Sequence, residues 1–342
     1  MKNATNMRCE IEEIPAAVQR LLDHSGTQVA NLASTIRDFD PRFAVTVARG
    51  SSDHACTFLK YAFEMELGLP VASVGPSVAS IYNRPMKLDR ALCLAISQSG
   101  MSPDIVAMAR SANVAGALSV AVTNDIASPL AEAATHAIDI CAGPERSVAA
   151  TKTFVTSVVS GLMLLAELKQ DEALRSALVG LPEKLAAAAE HNWAELRQAI
   201  GQRKSLFTLG RGPSWAMSNE AALKFKETCR VHAESYSSAE VLHGPVAIVE
   251  TGFPVLCLVS ADEAGDSQAA ISDNLAAKGA TVFLTSDRAS LATPLRHVRT
   301  AHALTDAVSL IVTFYSMVER FAADLQLEPD APRHLNKVTE TI

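Results

Sequence analysis

The densest run of groups able to move protons is NEAALKFKETCRVHAESYSSAEVLHGPVAIVE, residues 219–250. Glu220, Lys224 and Glu227 stand four and three apart, so on a helix they share one face. Such spacing fits a solvated, salt-bridging surface, and it also fits an acid–base cluster. His243 follows on His-Gly-Pro, a tight turn ahead of an apolar, strand-like run, Val246 to Val249. A carboxylate shielded from water can act as a base near neutral pH. Histidine both accepts and gives a proton there.

A second stretch, CLAISQSGMSPD (93–104), suggests binding rather than proton transfer. An apolar run passes straight into Ser97, Gln98, Ser99, Gly100 and Ser102, and a helix-like pattern starts at once. A strand turning sharply into a helix leaves backbone N–H groups aimed at one spot, with the partial positive charge of the helix end behind them. Gly100 lets the backbone approach a ligand closely. Ser97, Ser99 and Ser102 add small hydroxyl donors, and Ser51 and Ser52, after an earlier strand, can complete the ring. The set suits a phosphate monoester. The plainer alternative is that Ser99 or Ser102 only caps the helix. No G-x-x-x-x-G-K-[ST] and no strand-linked G-x-G-x-x-G occurs, so neither a P-loop nor a dinucleotide fingerprint is indicated.

The elements that must hold these residues occur twice. FAVTVARGSS (43–52) and LFTLGRGPS (206–214) place Arg49 and Arg211 162 residues apart. CLAIS and LCLVS end at Ser97 and Ser260, 163 apart, and LSVAVTND and TVFLTSD align Thr123 with Thr285 at 162. Three strand-like segments in one order at one offset indicate a tandem duplication. Helix-period stretches, SPDIVAMARSANVAG and SQAAISDNLAAKG, lie between them and end at glycine. The expected class is α/β, two tandem doubly wound parallel-sheet domains of flavodoxin-like type. Ligands in such sheets bind beyond the carboxyl ends of the strands, where both serine segments fall. The expected organisation is an N-terminal helical segment (1–35), a first domain (36–170), a helical linker (171–202), a second domain (203–328) and a C-terminal tail (329–342).

Composition narrows the partners. The chain has 342 residues, 49% hydrophobic and 20% charged, with a net charge of -7 and no basic block. Nucleic acid and anionic membrane surfaces are therefore not expected partners. Six cysteines are scattered with no C-x-x-C pair, and no H-E-x-x-H occurs. The start lacks an apolar signal core, and the most apolar helical run is too short for a membrane span. A reduced, cytoplasmic protein without metal or organic cofactor is expected.

ISQSG with RGSS upstream resembles the sugar isomerase (SIS) domain family. The tandem pair resembles the isomerase half of the glucosamine-6-phosphate synthases, the glutamine–fructose-6-phosphate aminotransferases, from MRCEIEEIP to PRHLNKVTET. The likeness covers nearly the whole chain. It implies that Glu227 moves a proton between C1 and C2 of an open-chain sugar. It implies that His243, supplied by a neighbouring subunit, opens the ring and that Lys224 lines the site. Lys337 would be the C-terminal lysine able to form an imine with a ketose carbonyl, although by composition it fits a solvated tail. Ser51, Ser52, Ser97, Gln98, Ser99, Gly100, Ser102 and Val148 would hold the phosphosugar, and the assembly would be a homodimer.

This chain departs from the pattern in places. The synthases begin with a glutaminase domain whose cysteine follows the initiator methionine; here Lys2 stands second and the first strand begins near residue 43. The expectation is a core that runs toward ammonia release, as in the SIS-type glucosamine-6-phosphate deaminases, giving fructose 6-phosphate. Ala150 replaces a serine that touches the sugar phosphate, Met101 an acidic residue, Ser102 a threonine and Leu242 a lysine. A fructosamine-6-phosphate deglycase or a galactosamine-6-phosphate deaminase would use the same enolisation. A phosphosugar sensor without catalysis would keep the serines but not Glu227, His243 and Lys337 together.

Overall fold

Strands buried on both faces read as near-continuous apolar runs, and the sequence supplies two sets of them. In the computed structural model of the chain, β1 (Phe43–Val47), β2 (Val71–Ser73), β3 (Ala91–Ile96), β4 (Leu118–Thr123) and β5 (His136–Asp139) form one parallel sheet in the order β2-β1-β3-β4-β5. β6 (Ser205–Gly210), β7 (His232–Ser237), β8 (Pro254–Cys257), β9 (Thr281–Leu284) and β10 (Thr293–Pro294) form a second, in the order β10-β9-β8-β6-β7. Counted from its other edge, the second order repeats the first strand for strand. All six residues of β3 and of β4 are buried. The structure describes residues 4–337. Residues 1–3 and 338–342, the outer ends of the N-terminal segment and the C-terminal tail, lie outside the described residues.

The helices are α1 (Asn6–Phe39), α2 (Ser51–Leu67), α3 (Ser77–Ser80), α4 (Pro103–Val114), α5 (Pro129–Ala133), α6 (Lys152–Lys169), α7 (Glu172–Val179), α8 (Leu181–Ala189), α9 (Ala194–Ile200), α10 (Pro213–Cys229), α11 (Gly265–Ala277) and α12 (Ala303–Asp324). α1 is one unbroken helix of 34 residues with Pro15 inside it. α4 and α11 give way to Gly116 and Gly279, whose φ values of 86° and 98° suit a helix stop that a side chain would strain.

The chain divides into two compact units. One comprises Ile14–Glu145, Lys152–Val179 and, beyond Leu335, the described residues Asn336 and Lys337, and contains the β1–β5 sheet. Its core gathers Val45, Val47, Cys93 and Ala95 from the sheet with Ile105, Met108 and Ala112 of α4. α6 is buried continuously from Lys152 to Ala166. The other comprises the residues up to Glu13, Arg146–Thr151 and Gly180–Leu335, and contains the β6–β10 sheet. There Phe207, Leu209, Val255, Cys257 and Leu284 pack with Ala269 and Leu275 of α11. α12, buried from Leu304 to Val318, is the central helix of that unit. Among the described residues no helix is long and apolar enough to cross a membrane.

One local expectation fails. The run after His243-Gly244-Pro245 is not strand-like: Pro245–Ile248 form a short 3-10 turn, and β8 begins only at Pro254. Pro245 has no N–H for a ladder, and Ile248 is exposed, so the run lacks what a buried strand needs.

Candidate active site

In the first sheet the strand order reverses between β1 and β3, the crevice where ligands of doubly wound sheets bind. β1 and β3 pair directly, with Val47 opposite Ala95. The two serine segments therefore leave neighbouring strand ends. Ser51 and Ser52 form the first turn of α2, whose N-cap is Gly50 with no side-chain cap hydrogen bond. Ser102 is the N-cap of α4, and its side chain makes no cap hydrogen bond either. The capping alternative therefore fails for Ser102.

Ser97 and Ser99 shape the loop instead. Ser97 Oγ accepts the Gly100 N–H at 3.2 Å, and Ser99 Oγ accepts the Met101 N–H at 3.3 Å. An oxygen held this way still has its own proton to donate. Gly100 has φ 63°, and a Cβ there would collide with Ser128 Oγ. The backbone N–H of Asn124 binds the Gln98 carbonyl at 3.1 Å, fixing the loop from β4. Arg49, at the end of β1, donates from Nε and Nη2 to Asp104 Oδ2 at 3.0 and 2.7 Å. No sequence pattern marks that pair; an acid just inside a helix after Ser-Pro is its only sign.

In the second unit the charged triad is buried, not solvated. Glu220 and Lys224 have fully buried side chains, and that of Glu227 is 18% exposed. Lys224 Nζ lies 3.0 Å from Glu220 Oε1 and 2.7 Å from Glu227 Oε2. Tyr315 of α12, also buried, donates to Glu220 Oε1 at 3.1 Å. Burial alone would push the Lys224 amine down, but the charges of Glu220 and Glu227 more than reverse this and hold its pKa up. Lys224 is thus a fixed cation that orients one oxygen of a partly open carboxylate. Tyr315 carried no sequence signal, because nothing in its local pattern separates a core tyrosine from a supporting one.

The remaining expected residues fall elsewhere. His243 is exposed at the end of a 3-10 turn (Glu240–His243), followed by Gly244 at φ 144°. The Val148 N–H binds the Asp330 carbonyl at 3.1 Å, and both belong to the β6–β10 unit. Lys337 belongs to the β1–β5 unit, where its Nζ donates to Glu145 Oε2 at 2.9 Å. It is therefore anchored rather than a solvated end.

The SIS domain model matches residues 40–167 and 199–322, so both repeats are covered. The glutamine–fructose-6-phosphate aminotransferase of Sulfolobus acidocaldarius is 30% identical over 334 residues, 96% of this chain and 55% of that protein. The chain spans about half the length of the curated relatives it matches. A candidate phosphosugar isomerase from Silicibacter pomeroyi DSS-3 is 66% identical, with a TM-score of 0.93 over 96% of this chain and 100% of that one. A glucosamine-6-phosphate deaminase from Thermotoga maritima shares the fold, with a TM-score of 0.79 at 19% identity over 98% of this chain and 100% of that one. With most of both repeats matched, the chain belongs to the SIS domain family.

Proposed function

We propose that this protein is an aldose–ketose isomerase and deaminase that converts glucosamine 6-phosphate and water to fructose 6-phosphate and ammonia. The observation that carries the proposal is the buried Lys224 holding Glu227 at 2.7 Å while that carboxylate stays partly open. A base must be held at one angle to move a hydrogen between adjacent carbons, and a buried cation does this at little entropic cost.

The Ser97–Ser102 loop and the first turn of α2, with Ser51 and Ser52, grip the phosphate. Gln98 and Val148 contact the sugar. His243, from the second subunit of a homodimer, opens the ring by moving a proton between the ring oxygen and O1. Glu227 then takes the proton from C2, exchanges it with water through its partly open carboxylate, and delivers a proton to C1. The ketimine left at C2 adds water and expels ammonia. Lys337 approaches the ketose carbonyl. The protein works in the cytoplasm, which agrees with its six free cysteines.

Ala150 favours a second substrate of the same chemistry. It is half-buried and lacks the hydroxyl of the family's serine, so one contact to the sugar is missing. Fructosamine 6-phosphate, with a bulkier leaving amine, and galactosamine 6-phosphate are the substrates to compare. The test is to follow ammonia and fructose 6-phosphate from glucosamine 6-phosphate, with the other two sugars in parallel. Steady turnover that Glu227→Gln abolishes is expected. Tight binding without turnover on all three sugars would instead make the protein a phosphosugar sensor.

A further inference from the structure

Glu145 is a buried carboxylate that no sequence pattern marked. Its side chain is fully buried, yet it sits three residues past Ala142 in a connection between β5 and α6. Oε1 accepts the Thr153 N–H at 3.1 Å, and Oε2 accepts the Thr153 hydroxyl at 2.6 Å. Thr153 lies in the first turn of α6, where the helix end favours a negative charge. The same Oε2 receives Lys337 Nζ at 2.9 Å. Lys337 is 192 residues away in sequence, and its side chain is one quarter exposed.

The connection carrying Glu145 is itself tied to the serine loop. Asn124, just after β4, donates from Nδ2 to the Gly143 carbonyl at 2.9 Å and accepts the Ala142 N–H at Oδ1 at 2.9 Å. Its own N–H binds the Gln98 carbonyl at 3.1 Å. A continuous set of hydrogen bonds thus runs from the serine loop through Asn124 to the segment holding Glu145, all within one unit. A buried carboxylate with two helix donors has a fixed position. A lysine near the end of a chain does not, unless something holds it.

We propose that Glu145 is the positioning residue for Lys337, docking the C-terminal tail so that the lysine amine is presented at the carboxyl-end rim of the first sheet, beside the Ser97–Ser102 loop. This rests on the reading above in which Lys337 approaches the sugar. The part of Glu145 in turnover is to place Lys337, to which it is bonded at 2.9 Å. A charge-assisted bond to a fixed carboxylate orders the tail more strongly than a neutral one.

The test combines a double-mutant cycle with amide hydrogen exchange on the intact protein. Glu145→Gln keeps an acceptor for Thr153 and removes the charge. It should lower kcat for phosphosugar turnover about ten- to a hundredfold, with Glu145→Asp recovering part of the loss. Lys337→Met should do at least as much. The double variant should be no worse than Lys337→Met within about twofold, because both act on one contact. Multiplying losses, or an unchanged kcat in Glu145→Gln, would overturn the proposal. Exchange in the peptide covering residues 331–337 should rise in Glu145→Gln and equally in Lys337→Met, which leaves the Thr153 bonds intact; no rise in Lys337→Met would overturn it even if Glu145→Gln does not fold. If the wild-type protein turns over none of the three sugars, the functional reading fails, and the exchange result alone decides the dock.

Discussion

At the end of β1 the chain enters α2 through Gly50, at φ 55° and ψ -132°. At the end of β6, 162 residues later, it enters α10 through Gly212, at φ 58° and ψ -134°. The backbone of the duplication is preserved at this turn, but the side chains around it have diverged. After β3 come Ser97, Gln98, Ser99 and Gly100; after β8, at the equivalent place, come Ser260, Ala261, Asp262 and Glu263. The second loop thus carries two carboxylates where the first carries a hydroxyl and a glycine. The helices diverge in the opposite sense. α2 has the buried hydrophobes Phe58, Leu59 and Phe63, whereas α10 has Glu220 and Lys224 fully buried. One repeat sets hydroxyls beside a single Arg49–Asp104 pair at its strand ends, and the other puts ion pairs inside a helix. A shared fold therefore fixes where a site can be, and the side chains at each crevice decide what it could hold.

That division can be broken at several points. The largest effect is expected from Glu227→Gln, which should lower kcat on glucosamine 6-phosphate by about 10²- to 10⁴-fold, the usual range for a lost acid–base group. Gln keeps an acceptor for Lys224, so thermal unfolding should fall by less than in Lys224→Met. A kcat within tenfold of wild type would remove Glu227 from the chemistry.

Next is Lys224→Met. It removes the ammonium 3.0 Å from the buried Glu220 carboxylate, and should cost about 3–5 kcal/mol in urea unfolding. The pKa of Lys224 is raised above its ordinary 10.5, so its stabilisation is complete below that pH and is lost only as pH rises through the folded value. The difference between wild type and variant should accordingly stay constant from pH 7 to 9. A difference that shrinks over that range would contradict the triad's charge state.

Smaller effects belong to the loop after β3. Gly100→Ala meets both a positive φ and Ser128, and should raise KM by about tenfold or more while costing about 1–3 kcal/mol of stability. Ser97→Ala with Ser99→Ala should raise KM about tenfold with kcat little changed, as hydrogen bonds to an anion are lost. An unchanged KM would mean the hydroxyls serve only to shape the loop. Smallest of all is Ser260→Ala in the second repeat. Its hydroxyl is buried with no hydrogen-bond partner. Replacement should leave KM within about twofold and hold or raise stability by up to about 1 kcal/mol.

The duplication could be read from the sequence because each repeat is built on a parallel sheet covered on both faces. Such strands are apolar at every position, so FAVTV, CLAIS and LSVAV stand out and recur at a fixed offset. The serine loop was legible for a related reason: hydroxyls directly after a buried strand are unusual. Glu145 and Tyr315 were not legible. Their importance comes from partners 192 and 95 residues away, and no local period encodes such contacts. The triad lay between these cases. Its four-and-three spacing was plain, yet the same spacing describes a solvated face, and only packing in the β6–β10 unit buries it. The run after His243 failed because four apolar residues do not make a strand when a proline heads them.

The measurement that goes most directly to the central claim is proton exchange at carbon during turnover. Glucosamine 6-phosphate is incubated with the wild-type protein, Glu227→Gln and the Ser97→Ala, Ser99→Ala pair in deuterated water, and C1 of the fructose 6-phosphate is examined by NMR. The account predicts deuterium at C1 with the wild-type protein, a sharply reduced rate of its appearance in Glu227→Gln, and a normal rate in the serine pair once substrate is saturating. Label appearing at C1 as fast in Glu227→Gln as in the wild type would contradict it.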